Sequence, residues 1–405
     1  MNTATFLNDA KEIEKEIIRN RRFLHSHAET GFELSETVKF VKEKLQEINC
    51  ECIDCGKSGI VALIGKGETD SVFLLRADMD GLPVKEKSEL DFSCNTGNMH
   101  ACGHDMHTAM LLGAAKILKK HESEIKGTIK LMFQPAEETL SGAKNMVDNG
   151  VLKNPDVNAA MMIHVLAGFP LKSGTVIVPS EGVGAPAADY FTINIQGKGC
   201  HGSTPHLGID SLSVATHILL GLQEIPAREL GVSDSAVLTV GSLQGGTAGN
   251  VIADTAVMQG TLRAFDDKIR DKIKKRITEI SENIGNAYHA KTTVTFGSGC
   301  PTLINDGNLA KQIEKQTKDL LGADLVINAS TFGEENTHKG GSEDFSYISK
   351  EVPTVMLGMA AGEPEKGFKY QQHHPKVLFD EAILTTGSAV MAYNAFKWIE
   401  NKTGI

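Results

Sequence analysis

Short apolar runs at residues 60–65 and 72–76, each bounded by polar residues, read as buried strands. At residues 107–119 (HTAMLLGAAKILK) the pattern changes to the helical period, and a strand at 128–133, a helix at 142–148 and a strand at 159–165 follow. A chain that alternates in this way is committed to an α/β layer domain around a parallel or mixed sheet flanked by helices. The rhythm then changes. YFTINI at 190–195 alternates like a half-exposed strand, followed by a helix at 211–222, strands at 236–240 and 256–263, a long amphipathic helix at 268–287 and a strand at 292–296. This β-α-β-β-α-β order is the ferredoxin-like arrangement. The α/β pattern resumes with a helix at 308–321, a strand at 353–359 and a helix at 381–400. The expected architecture is one discontinuous domain, residues 1–186 and 299–405, interrupted by a small ferredoxin-like domain at 187–298, with hinges near 184–188 and 297–301.

Composition narrows the classes of function. With 41 Lys+Arg against 51 Asp+Glu the formal net charge is −10, which repels a phosphate backbone and argues against nucleic-acid binding. No apolar run is long enough to span a bilayer, so no membrane association is expected. The N-terminus, MNTATFLNDAKEIEKE, lacks a basic segment followed by an apolar one. Without such a leader, the seven cysteines are expected as reduced thiols in a cytoplasmic setting.

The densest chemistry lies at 99–107, MHACGHDMH, just before a helix. In an extended Cys-x-His segment the side chains of Cys102 and His104 point to one face, and thiolate and imidazole both suit zinc-like metals. A polar turn with Asp105 as helix cap accounts for the segment equally well. Glu137 and Glu138, in FQPAEET after a strand, could divide the work of metal ligand and free base, although acids also favour a helix's first turn. His164 closes an apolar strand at the carboxyl edge, where α/β sheets place their sites. Asp78 and Asp80 end another strand, in LRADMDGLP, and could orient ligating histidines. QQHHP at 371–375 reads on its own as a solvated turn. Several metal-compatible groups at strand ends of one α/β framework together favour a metal site. A cysteine hydrolase using Cys102 as nucleophile is the competing reading from another class.

The motifs LLRADMDGLP, MHACGHDMHT, FQPAEE, HGSTPHLGIDS, GGTAGNVIAD, LRAFD, GSEDFSY and HHP, in this order over nearly the whole chain, resemble the aminoacylase/carboxypeptidase superfamily of co-catalytic metallopeptidases. The N-acyl-amino-acid amidohydrolase branch, with its hippurate and auxin–amino acid conjugate hydrolases, is the most similar. The resemblance implies a catalytic metallohydrolase domain interrupted by a lid that often dimerises, so a homodimer or homotetramer through the lid. It implies two divalent metal ions, manganese or zinc with cobalt or nickel possible, held by Cys102, His104, Glu138, His164 and His373. His373 is chosen over His374 as the first residue of an H-x-P pattern. Glu137 is implied as general base on metal-bound water, and Asp80 as the orienting aspartate. Asp78 occupies a place where the wider superfamily has a ligand histidine, and it is not carried over as a ligand. His201 is implied to stabilise the oxyanion in the partner subunit's site, and Asn250 and Arg263 to bind substrate. The implied reaction is hydrolysis of N-acyl amino acids, with a dipeptidase or carboxypeptidase as the alternative.

Other segments carry no site. Gly56-Lys57-Ser58 mimics the end of a phosphate loop, but position 51 is Glu. Gly182, Gly184 and Ala187 surround Pro186 with no helix expected after them. Cys52 and Cys55 lack a second pair, His25 and His27 are expected to have no metal role, and Gly245, Gly246 and Gly249 shape a turn.

Overall fold

The computed structural model describes residues 2–332 and 341–403. They divide into two compact units. The first holds the chain up to Gly184 and again from Ile304, apart from a short stretch ending at Glu343 that groups with the second; the second is the inserted unit, Ala185–Leu303.

In chain order the first unit begins with helices α1 (Thr3–Glu12), α2 (Glu14–Ser26) and α3 (Ser35–Glu47). Strands β1 (Cys52–Asp54), β2 (Ile60–Ile64) and β3 (Val72–Asp78), helix α4 (His104–Lys120), strand β4 (Thr128–Gln134), helix α5 (Gly142–Asp148), and strands β5 (Ala159–Leu166) and β6 (Val176–Val178) follow. The inserted unit contributes β7 (Ala187–Gln196), α6 (Ser211–Glu224), β8 (Ala236–Gly245), β9 (Thr255–Ala264), α7 (Asp267–Ala287) and β10 (Lys291–Cys300). The first unit resumes with α8 (Gly307–Leu321), β11 (Val326–Asn328), β12 (Thr354–Ala360) and α9 (Leu384–Thr403).

The first unit is built on an eight-stranded mixed sheet in the order β1-β2-β4-β3-β5-β12-β6-β11. Its centre is parallel: β3 pairs in parallel with β4 and β5, and β12 with β5. These strands read as apolar runs because they are covered on both faces. Helix α4 is almost wholly buried, from His104 to Leu118, and packs against α9 and α2. Two glycines permit that approach: a Cβ on Gly387 would lie 1.9 Å from the Met110 sulfur, and one on Gly113 would lie 2.4 Å from the Ser388 hydroxyl. No helix among the described residues is long and apolar enough to cross a membrane.

The inserted unit is a four-stranded antiparallel sheet in the order β8-β9-β7-β10, with α6 and α7 packed on each other and on the sheet. This is the ferredoxin-like topology. Aspartates start both helices: Asp210 accepts from the amides of Leu212 and Ser213, and Asp266 from those of Lys268 and Ile269.

Most elements lie within a few residues of the sequence reading, with informative differences. Strand β10 runs to Cys300 rather than 296, because a bulge between Phe296 and Gly299 lets the pairing with β7 resume. Strand β7 begins at Ala187, so the expected hinge at 184–188 already overlaps strand. Helices α1–α3 have no bounds in the sequence reading beyond a helix-to-loop stretch around His25 and His27. They are rich in charge, and only a thin stripe, with Phe6, Ile17, Leu24 and Val41 at most 1% exposed, holds them to the core. Strands β6 and β11, three residues each, are too short to show a period.

Candidate metal centre

Because β3, β4 and β5 are parallel, their carboxyl ends share one edge of the sheet. Asp78 ends β3, the Pro135–Leu140 turn with both glutamates follows β4, and His164 lies near the end of β5. Helix α4 starts above this edge, at His104 rather than 107. Its cap is Gly103, at φ +95, and not Asp105. The glycine is required twice over, by that left-handed backbone and because a Cβ there would sit 2.4 Å from the Val165 side chain.

Six of the residues expected at a metal site converge here. The Cys102 sulfur is 3.5 Å from His164 Nε2, and His104 Nε2 is 3.9 Å from both a Glu137 and a Glu138 carboxylate oxygen. His373 Nε2 is 3.5 Å from Glu138 Oε1. His374 points elsewhere, stacked on Tyr370 at 4.1 Å between ring centroids with its Nδ1 accepting from the Lys376 amide. The backbone is strained at two points of the cluster, Ala136 at φ +54 just before Glu137 and His373 itself at φ +67.

Asp80 organises this cluster without joining it. Its carboxylate accepts the amides of Glu137 at 2.9 Å and Glu138 at 3.2 Å, and its carbonyl accepts from His104 Nδ1 at 2.8 Å. The other ring nitrogen, His104 Nε2, is buried with no hydrogen-bond partner among the described residues, and so is Glu138 Oε1. His104 Nε2 lies 3.6 Å from Asp78 Oδ2 and 3.9 Å from Glu138 Oε1, and buried polar atoms left without hydrogen bonds among carboxylates are costly unless a cation lies among them. The donor set of one thiol, three imidazoles and a carboxylate is what a borderline divalent ion takes. The residues fit a metal.

Electrostatics follow from burial. Burial pushes Glu138 up to about 7, with Asp80 and Asp78 adding to the effect. Burial, with His107 behind it, takes His164 down to about 3, which keeps the ring neutral and able to ligate. Burial also drives the Cys102 thiol upward, the reverse of what an activated nucleophile needs. A thiolate there needs a cation beside it, which suits a ligand better than a nucleophile without a metal.

Asp78 and His107 lie beneath the cluster and are committed elsewhere. Asp78 accepts from Arg76 at 2.7 Å and from His107 Nδ1 at 2.6 Å, while His107 Nε2 accepts the Val165 amide at 2.9 Å. Neither His107 nitrogen is free to ligate. Arg76, read from sequence as a polar strand edge, is fully buried mid-strand. It also donates to Gln134 at 2.9 Å and to Asp344 at 3.2 Å, and Asp344 in turn accepts the Ala143 amide at 2.9 Å. This network braces the turn that carries Glu137 from both sides. A charged residue in an apolar run, and the acids of GSEDFSY, are its only sequence signals. His25 is buried within α2, bonded to Asp105 at 2.9 Å and to Glu86 at 3.0 Å, with Arg21 on the same Asp105 oxygen at 2.7 Å.

His201, Asn250 and Arg263 belong to the inserted unit. His201 is exposed and pairs across a two-residue ladder with Val251, next to Asn250, whose carbonyl accepts the Gly202 amide at 2.8 Å. Its Nδ1 bonds the Ser203 hydroxyl at 2.7 Å. Arg263 lies on β9, its guanidinium 5.6 Å from the centre of the Tyr190 ring.

Comparison with known proteins gives a consistent result. The profile of peptidase family M20/M25/M40 matches residues 74–396. The N-acetyl-L-cysteine deacetylase of Bacillus subtilis is 34% identical over 396 residues, covering 96% of this chain and 89% of the relative. The IAA-amino acid hydrolase ILR1-like 2 of Arabidopsis thaliana is 36% identical over 390 residues, covering 95% and 86%. Among solved structures, the Bacillus subtilis YXEP protein, described as a dinuclear metal binding peptidase from the M20 family, is 32% identical with a TM-score of 0.76, covering 96% of this chain and 99% of that one.

Proposed function

Because the chain belongs to peptidase family M20/M25/M40, and is therefore a metal-dependent amidohydrolase or peptidase, we propose that it hydrolyses N-acyl amino acids to a free amino acid and a carboxylic acid. The amide cleaved would carry an acetyl, benzoyl or similar acyl group. The observation that carries this reading is the unmatched pair His104 Nε2 and Glu138 Oε1, ringed by Cys102, His164 and His373, with Glu137 held alongside by Asp80.

Cys102, His104, Glu138, His164 and His373 would hold two divalent ions, manganese or zinc, and cobalt and nickel suit the same donors. Bound there, such ions polarise a carbonyl and lower the pKa of water toward ~7. Glu137 takes the proton of the attacking water on its carboxylate and delivers it to the departing amine, acting as base and then acid. Asp80 fixes the Glu137 backbone, so the carboxylate needs little reorganisation to receive that proton. His201, Asn250 and Arg263 are assigned by motif match to the oxyanion and to substrate. Self-association through the inserted unit is part of the proposal. Strand β8 is a ten-residue sheet edge without a single charge, of the kind that invites pairing. A cytoplasmic, reducing setting accords with seven free cysteines.

A second reading, cleavage of dipeptides or C-terminal residues at the same centre, is favoured by the peptidase description of the 32% identical structure. A panel of N-acetyl and N-benzoyl amino acids against dipeptides, assayed with metal-reconstituted protein, separates the two. Turnover of acyl conjugates supports the first reading, and turnover of dipeptides alone overturns it.

A further inference from the structure

Gln372 stands beside His373 in a loop to which the motif reading gives only one functional residue. Its role follows from the unusual position of Val165. On β5, pairing with β3 ends at Met162 opposite Arg76, while pairing with β12 continues through Val165 opposite Met359. Three residues beyond the last β3 contact, the N–H and C=O of Val165 have side chains for partners in place of a strand. Its N–H donates to His107 Nε2 at 2.9 Å, and its carbonyl accepts His164 Nδ1 at 2.7 Å and Gln372 Nε2 at 2.7 Å.

The main chain of this one residue sets several orientations. An amide N–H only donates, so His107 Nε2 carries no proton, and its Nδ1 proton is directed at Asp78. A carbonyl only accepts, so the proton of His164 is on Nδ1, and the lone pair of Nε2 faces Cys102. Gln372 ties the next residue to the same carbonyl. The His373 amide in turn donates to the Ala101 carbonyl at 2.9 Å, next to Cys102. His373 holds a left-handed backbone, φ +67, which persists only where its surroundings over-determine it. The bonds of Gln372 and of the His373 amide are those constraints.

We propose that Gln372 is a positioning residue: it fixes His373 toward the metal centre and, by sharing the Val165 carbonyl, couples that placement to His164. The inference rests on the metal-site reading above. The test is titration of metal-free Gln372→Leu with Zn2+ and with Co2+, alongside thermal melting of the metal-free protein. The expected result is at least one metal equivalent bound about 10–100-fold more weakly, the range for losing a partner that orients a ligand. The Co2+ absorption spectrum should change, and the metal-free melting temperature should match the wild type. Gln372→Ala, which adds no bulk to strain the loop, should show the same loss. Wild-type affinity and spectrum in both variants overturn the proposal and leave the metal-site reading standing. A wild-type protein that binds neither ion overturns that reading and this inference together.

Discussion

The two units hold their candidate functional residues in opposite ways. In the first, four members of the cluster are tied from behind: His104 by the Asp80 carbonyl, both glutamates by the Asp80 carboxylate, and His164 by Val165, while Asp344 and Arg76 hold the turn carrying Glu137. In the inserted unit, His201 is exposed and bonded to Ser203, Thr204 and its own short ladder, while Arg263 contacts its strand neighbours and Tyr190. Bracing of this kind belongs to groups that must share an ion within tenths of an ångström. Groups that meet a variable substrate can be held more loosely.

The contrast can be broken experimentally. Glu137→Gln should lower turnover by about 10²–10⁴-fold, the usual worth of a general base, with metal content unchanged. Loss of metal in that variant would make Glu137 a ligand. Asp344→Leu removes one partner of the buried Arg76 and should cost about 3–5 kcal/mol of stability in urea unfolding. A change under about 1 kcal/mol would show that the network does not brace the turn. His201→Ala should cost about 10²–10³ in kcat, the effect of deleting one oxyanion donor, without moving metal affinity or stability. If metal binding falls instead, the division between braced and loosely held groups fails. His373→Ala should lose metal stoichiometry where His374→Ala retains it; the reverse result would exchange the two histidines.

The smallest effect concerns acid. Burial would raise the Asp105 carboxyl, but Arg21 and His25 more than reverse this and hold it well below the usual carboxylate range. A carboxyl whose folded pKa is depressed contributes stability that is full above its unfolded value, about 3.9, and is lost as pH falls below it. Asp105→Asn should therefore flatten the acid limb of stability against pH. An unchanged acid limb would show that the Arg21–Asp105–His25 cluster contributes nothing there.

Much of the framework is legible in the residues because burial writes itself as periodicity. The apolar strands 128–133 and 159–165 and the amphipathic helix 268–287 fall close to where they were placed. The ligand-type residues were legible because thiol, imidazole and paired acids stand at strand ends. What could not be read was the layer behind them. Gln372 and Arg76 matter through partners at Val165 and at Asp344, which lies 268 residues away, and no local pattern encodes such pairings. Asp105 looked like a helix cap by position, yet Gly103 takes that role and frees Asp105 to pair with α2.

The most direct test of the central claim is the metal content and activity of the wild-type protein through one cycle of chelation and readdition. On an N-acetyl amino acid substrate, activity should vanish on EDTA treatment. It should return with manganese or zinc as two equivalents bind. Hydrolysis that persists in metal-depleted protein, or that thiol alkylation abolishes while both metals stay bound, would contradict the account.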